Sequence, residues 1–453
     1  MDKFDVVVVG ARCAGSALAM QLARQGLRVC VAEKASALGD KPSTHLLTAS
    51  GTAVLERLGV LDDVLAAGAT QLRTMQFRVN DATVASHMDT EILGVTLGIR
   101  REVLDNVLLE HAAKAGADVR LGCPVDSVLV EDSRVVGAAT ASGPVHADLV
   151  VGADGAHSTV SKAVGAEEYL AIPGNYIPMW SFFEGANPKF DLVFGVMNGC
   201  NIVAPRLDNG IYNVQLGFPT SNADAVLADR GTNFDNALSK CPELVSAVLD
   251  ATRVGPLRMY RRWHGYFRTP VGPGWALLGD AGHFKDPALG QGMADAFRHS
   301  EQLAGGILRG LGGGDIEREL LDWWRWRDAD AFEMYFASYF LGDAEIPYTW
   351  FNSLGRALLK RPDTAERILQ MLSLRNVKPR HALGRNMSLM TAYIAPRLIK
   401  DMSQIVPTMV SLDEHLSRIL QLAAAYPGHR LGARRYRSLH KLPKEAAMPE
   451  PAP

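Results

Sequence analysis

The stretch FDVVVVGARCAG, Phe4 to Gly15, sets a β-branched run, Val6 to Val9, directly before a glycine-bearing turn. Ser16 to Gln25 follows with helix-forming residues, Gly26 ends that segment, and Leu27 to Ala32 is a second apolar run. Strand, helix and strand within about 30 residues make a βαβ unit, the opening of a doubly wound parallel sheet. At such a turn, backbone N–H groups and the positive end of the helix dipole hold a pyrophosphate. Gly10 permits the tight turn and Gly15 the close packing of helix on strand, while Arg12 stands where the usual pattern has a second glycine. The Arg12 side chain is expected to point away or to meet a phosphate oxygen. Glu33 closes the second strand, where a carboxylate accepts both hydroxyls of an adenosine ribose and repels a 2′-phosphate. These residues predict a site for NAD or FAD.

The 453 residues carry 47 Lys plus Arg against 49 Asp plus Glu. No net field draws such a chain to nucleic acid, so a small metabolite is the expected partner. Cys13, Cys30, Cys123, Cys200 and Cys241 are scattered and odd in number, without the close spacing of a zinc or redox pair. They read as free thiols in a reducing compartment, and no metal site is expected. No basic segment precedes a longer apolar stretch at the N-terminus, and no run approaches the ~20 apolar residues of a membrane span. A cytoplasmic protein without a transmembrane segment is expected, with no signal for its oligomeric state.

Further along, Ala53 to Ala67 reads as one helix stopped by Gly68, Gln71 to Thr90 as short antiparallel strands, and Arg101 to Ala115 as a helix. Val125 to Val130 and Val135 to Ala141 read as strands, and Leu149 to Val151 as a buried one. Alternating segments between Ile172 and Arg268 predict a mostly antiparallel sheet with one face on a core and the other free. Trp275 to His283 is another apolar strand ending in a polar turn, and a helix is expected near Gly292. Beyond Ile316 the pattern is helical, including a core-packed aromatic stretch, Leu321 to Phe340. The chain ends in a basic tail, Gly428 to Lys444, and a Pro-rich terminus.

Two more segments share the logic of the first turn. DLVVGADGAHSTV places Asp154 and Gly155 just beyond a strand, and WALLGDAGHFKDPALGQGMADAF places Asp280 likewise. Either aspartate alone is also a fair helix cap. In this order and spacing, with GARCAG and Glu33, the chain resembles the FAD-dependent monooxygenases related to para-hydroxybenzoate hydroxylase, from Phe4 to about Leu308.

The resemblance implies an α/β fold: a Rossmann-like FAD-binding fold, an interleaved, mostly antiparallel β-sheet substrate domain, and a helical C-terminal region. It divides the chain into 1–70, 96–165 and 265–315 for FAD, 71–95 and 166–264 for substrate, and 316–453 for the helices. Gly10, Ala11, Arg12, Gly15, Glu33 and Lys34 would hold the ADP half of FAD. Arg100, or its neighbour Arg101, would reach the phosphates or ribityl, and Val125 would meet the adenine through its backbone. Asp280 would bind the ribityl chain, and Gly290, Gln291, Gly292 and Met293 would offer N–H groups to the flavin pyrimidine end. Asp154 and Gly155 would serve the pyrophosphate side and reduced nicotinamide. Ser161 stands where many relatives have an arginine, with Lys162 beside it.

The implied reaction uses FAD, O₂ and NADPH or NADH to hydroxylate or epoxidise an apolar or aromatic small molecule. Trp180, Phe182, Phe183, Tyr212 and Gln215 are the expected pocket lining. His45 is the expected catalytic base, ahead of His283 and His264, because imidazole suits removal of a phenolic proton. Other flavin enzymes share the fold: tryptophan halogenases carry a WxWxIP segment absent here, and prenyl reductases often have a cysteine in the loop occupied by Pro42 to His45. A non-catalytic carrier of the GDP-dissociation-inhibitor kind is disfavoured by the retained GD segment at Gly279–Asp280.

Overall fold

The opening βαβ unit forms as strand Lys3–Val9, helix Cys13–Arg24 and strand Val29–Glu33 in the computed structural model, which describes residues 3–80, 82–342, 369–370 and 372–373. Val7 pairs in parallel with Cys30 on one side and Val150 on the other. Both faces of this central strand are covered, which is why Val6, Val7 and Val8 have no exposed surface and read as a continuous apolar run. The parallel order is Trp275–Leu277, Gly143–Gly152, Lys3–Val9, Val29–Glu33, Asp118–Leu121. A hairpin, Val125–Glu131 and Arg134–Thr140, joins it antiparallel through Gly143–Gly152.

A second sheet of seven strands runs in the order Thr252–Met259, Tyr176–Glu184, Tyr212–Pro219, Cys200–Pro205, Leu192–Met197, Thr74–Val79, Ala82–His87. All its pairings are antiparallel except Leu192–Met197 with Thr74–Val79. At the centre of this sheet neither face is free, contrary to the pattern-based expectation. Helices Ala223–Ala228, Arg230–Ser239 and Pro242–Val248 pack on one face through Phe234, Leu244 and Ala247, so all of Tyr176–Glu184 except its last residue is buried. These short helices escaped detection because each offers too few turns for a 3.6-residue period to stand out.

The single helix expected over Ala53–Ala67 is two, Ala49–Arg57 and Leu61–Ala66, broken where Gly59 takes φ +64°. Helices appear as expected at Arg101–Lys114, Gly292–Leu311 and Ile316–Gly342. The remainder of the expected C-terminal helices and the basic tail lie outside the described residues. All five cysteines are free.

Ile316–Gly342 is fastened to the rest by Arg327, whose guanidinium is fully enclosed. It donates to Asp328 (2.9 Å), to the Gly282 carbonyl (3.0 Å) and to the Tyr169 hydroxyl (2.8 Å). Asp328 in turn accepts from Tyr169 (2.6 Å) and Trp324 (3.1 Å). Removing one partner of a buried pair strands the other charge, so Arg327→Leu is expected to cost ~3–5 kcal/mol. A urea unfolding midpoint unchanged from the parent would show that the network contributes nothing.

Candidate active site

Val9, Glu33, Gly152 and Leu277 end four neighbouring parallel strands, and Gly10, Asp154 and Asp280 follow within three residues of three of those ends. At the usual strand spacing this row spans roughly 14–15 Å, and the carboxyl edge is where open α/β sheets bind ligands. The backbones at its centre nearly touch. A Cβ on Gly15 would lie 1.8 Å from the Gly10 carbonyl oxygen, and one on Gly10 would lie 2.5 Å from that of Ala153.

Glu33 is buried and tied to the turn: its carboxylate accepts from the Ala11 N–H and from the Ala35 N–H, each at 3.0 Å. The Gly122 and Cys123 N–H groups bond the Ala35 and Glu33 carbonyls, which brings the start of the Val125 strand beside that carboxylate. Arg12 points away from the backbone, donating to the Gly39 carbonyl (2.9 Å) and to Asp105 (2.8 Å). Asp105 has no exposed surface and also accepts from the Cys13 N–H (3.1 Å), so a carboxylate from a distant helix caps the first one. Arg101 grips the same carboxylate one turn away (3.1 Å).

Of the two candidate arginines, the structure brings Arg101 to the cleft, where its charge acts on Asp280 and Cys13. Arg100, the first choice from sequence, is instead held by Asp208, whose oxygens accept from its backbone N–H (2.6 Å) and side chain (2.8 Å). Arg100 is the extended residue before the helix (ψ 144°) and Arg101 its first helical residue, so the change of backbone sends the side chains apart. Lys41, absent from the sequence candidates, joins Arg12, Lys34 and Arg101. Partial burial and then those three cations hold its ammonium below the ordinary lysine range, while Glu33 opposes them. The cradle therefore carries a positive field suited to a pyrophosphate.

Asp154 spends one oxygen on the Thr159 (2.7 Å) and Val160 (3.3 Å) N–H groups, which makes it a cap for helix Thr159–Ala163. Asp280 differs. Its carboxylate makes no hydrogen bond or ion pair with the described residues, and its surface is exposed, yet it stands deep in a concavity. Loss of solvation pushes its carboxyl up, against the pull of Arg101, Lys285 and Arg268. The Tyr266 hydroxyl fixes the turn by donating to the Asp280 carbonyl (2.6 Å). Gly290 adopts φ +64° against Leu46, and Gly292 opens the long helix with nothing within 4 Å of where a Cβ would stand. Met293 behind it is buried, and the Gln291 side chain donates to the Leu289 (3.1 Å) and Leu372 (2.8 Å) carbonyls.

His45 is fully buried at φ +58°. Its Nδ1 accepts the Arg101 N–H (3.2 Å), which leaves the proton on Nε2, 4.0 Å from Asp40. Burial, then Arg101 and Arg100, push its pKa down to about 3. In this setting the imidazole is a neutral donor and a weak proton acceptor. His283 stacks on Phe267, and His264 pairs with Glu168 on the outside.

Strand register sorts the expected pocket residues. Trp180 pairs with Gln215 and Phe182 with Asn213, on the face toward the parallel sheet, where the Phe182 ring meets His45. Tyr212 pairs with Phe183 on the opposite, helix-covered face and packs with Val214 and Leu216, so it does not line the site. Residues three apart on one strand point to opposite faces, which separates Tyr212 from Gln215. On the inward face, Met75, Leu192, Phe194 and Val203 wall a small apolar cavity, closed by Leu46, Leu289 and Leu372.

Residues 3–177 match the FAD binding domain family. This part of the chain is an FAD-binding domain. FAD is its cofactor, and its relatives include flavoprotein monooxygenases of the kind that the motifs resemble. The chain is 29% identical to rifampicin monooxygenase of Rhodococcus hoagii over 331 residues, 67% of this chain and 64% of that protein. It is 26% identical to the digeranylgeranylglycerophospholipid reductase of Methanosarcina acetivorans over 374 residues, 74% of this chain and 83% of that one. The fold is that of the flavin-dependent brominase Bmp2, with TM-score 0.71 and 19% identity over 85% of this chain and 98% of that one. The chain thus spans slightly less than two thirds of rifampicin monooxygenase.

The FAD-binding domain generates one pH prediction. Between about 3 and 6.5 the unfolded chain binds a proton at His45 that the folded chain refuses, so this contribution is complete above 6.5 and is lost as pH falls toward 3. The slope is at most about 1.4 kcal/mol per pH unit. His45→Asn, which tolerates the left-handed backbone, should flatten the acid limb of a melting temperature versus pH curve. An unaltered limb would mean that His45 titrates normally.

Proposed function

We propose that the protein is an FAD-dependent monooxygenase that hydroxylates or epoxidises an apolar or aromatic small molecule, using NADPH or NADH and O₂. The observation that carries it is Asp280, a carboxylate spent on no bond within the described protein, standing between the first turn and the exposed helix start at Gly292. Gly10, Ala11, Arg12, Gly15, Glu33, Lys34 and Val125 hold the ADP half, with Arg101 and Lys41 added to the cationic rim. Asp280 takes the ribityl hydroxyls, and the N–H groups from Gly290 to Met293 take the pyrimidine end. Asp154 is retained for the nicotinamide side through its backbone and Gly155.

Reduced flavin supplies the activation of O₂, which the protein frames but does not perform. The apolar cavity excludes water and orients the substrate beside the Gly290 turn. His45 holds a proton at Nε2 and acts as a donor that positions. In this reading 1–70, 96–165 and 265–315 bind cofactor, 71–95 and 166–264 bind substrate, and the protein works in the cytoplasm without nucleic acid. Among the described residues, no helix is long and apolar enough to cross a membrane.

Asp280→Ala should leave circular dichroism unchanged but strip the purified protein of most of its flavin, because the side chain gives nothing to the fold. The parent should oxidise NAD(P)H in air and yield a product with one added oxygen atom. Full flavin occupancy in the variant would remove Asp280 from the site, and a halogenated product or one gaining only hydrogen would place the chain with the other enzymes of this fold.

A further inference from the structure

We infer that the apolar cavity binds an uncharged molecule carrying a hydroxyl or carbonyl group, and that Thr96 is the residue that reads that group. The inference takes its place beside the flavin from the monooxygenase reading, but the ligand preference follows from the walls alone. Among the described residues, no Lys, Arg, His, Asp or Glu lines the cavity. A carboxylate brought into it would lose its hydration and gain no cation in return, whereas an uncharged apolar body loses little and gains burial.

Three hydroxyl-bearing residues interrupt the apolar lining, Thr48, Thr96 and Ser373. Thr48 shares a hydrogen bond with Ser50 (3.3 Å), and Ser373 follows Leu372 in the lining and is buried. Thr96 is 3% exposed, and its Oγ1 is enclosed with no hydrogen-bond partner among the described residues. Its backbone is already committed, the carbonyl accepting from the Leu72 N–H at 2.9 Å, so the residue is held in place. A hydroxyl both donates and accepts, and therefore complements either a carbonyl or another hydroxyl.

The position is also right for chemistry. Ala288 and Leu289, which share the lining with Thr96, lead directly into Gly290 and Gly292, and Leu46 packs on Gly290. A ligand anchored at Thr96 thus lies against the turn assigned to the flavin pyrimidine end.

The test titrates 2-naphthol, naphthalene and 2-naphthoate into the FAD-loaded protein, following the flavin absorption band and the melting temperature. The parent should prefer 2-naphthol to both others. Thr96→Val should erase the advantage of 2-naphthol over naphthalene, a loss of roughly three- to tenfold for one neutral hydrogen bond, and Thr96→Ser should keep it. Naphthoate binding as tightly as naphthol, an advantage that survives Thr96→Val, or no response to any of the three would each overturn the inference. Flavin content and NAD(P)H oxidation are read on the same preparation: a flavin-loaded, NAD(P)H-oxidising protein with the wrong preference loses only this inference. A flavin-free protein whose melting temperature still ranks the ligands as stated loses only the monooxygenase reading.

Discussion

Everything at the carboxyl edge of the parallel sheet depends on how closely three backbones approach at Gly10, Gly15 and Ala153. With side chains at either glycine, the first helix would be forced off its strand or the returning strand off its neighbour. Because they meet, the ends of strands far apart in sequence converge, and Glu33, Asp154 and Asp280 become neighbours along one edge. The closeness also draws the start of helix Arg101–Lys114 over the turn, where Asp105 and Arg101 add charge.

What was legible in the sequence is what is local. Gly10, Gly15, Glu33 and Asp280 each stand at a fixed offset from an apolar strand, so pattern and spacing reach them. Lys41 and Thr96 do not advertise themselves, because their roles arise only when separate segments fold together. For Arg101 and Asp105 a signal existed, the i, i+4 pairing of opposite charges on a helix. Tyr212 shows a different limit. Alternation says which residues share a face, but only the cross-strand register with Phe183 says which face that is.

The division of labour between the two aspartates follows the same physics. Asp154 sits just before a short helix, and its free N–H groups claim it; Asp280 follows its strand in a turn where Tyr266 donates to its carbonyl and nothing among the described residues donates to its carboxylate. Two similar-looking strand-end carboxylates are thus set apart by whether the next few backbone amides are already spoken for. The same accounting separates Thr48 from Thr96.

Asp105 carries a consequence for how the chain comes to be a flavoprotein. The amide of Cys13 at the head of the first helix meets an anion that belongs to the polypeptide itself, and two guanidiniums close around that anion. The helix dipole is thereby balanced from within, so the turn needs no bound phosphate to offset it. On the reading proposed above, a pyrophosphate would share two arginines with a carboxylate already in residence.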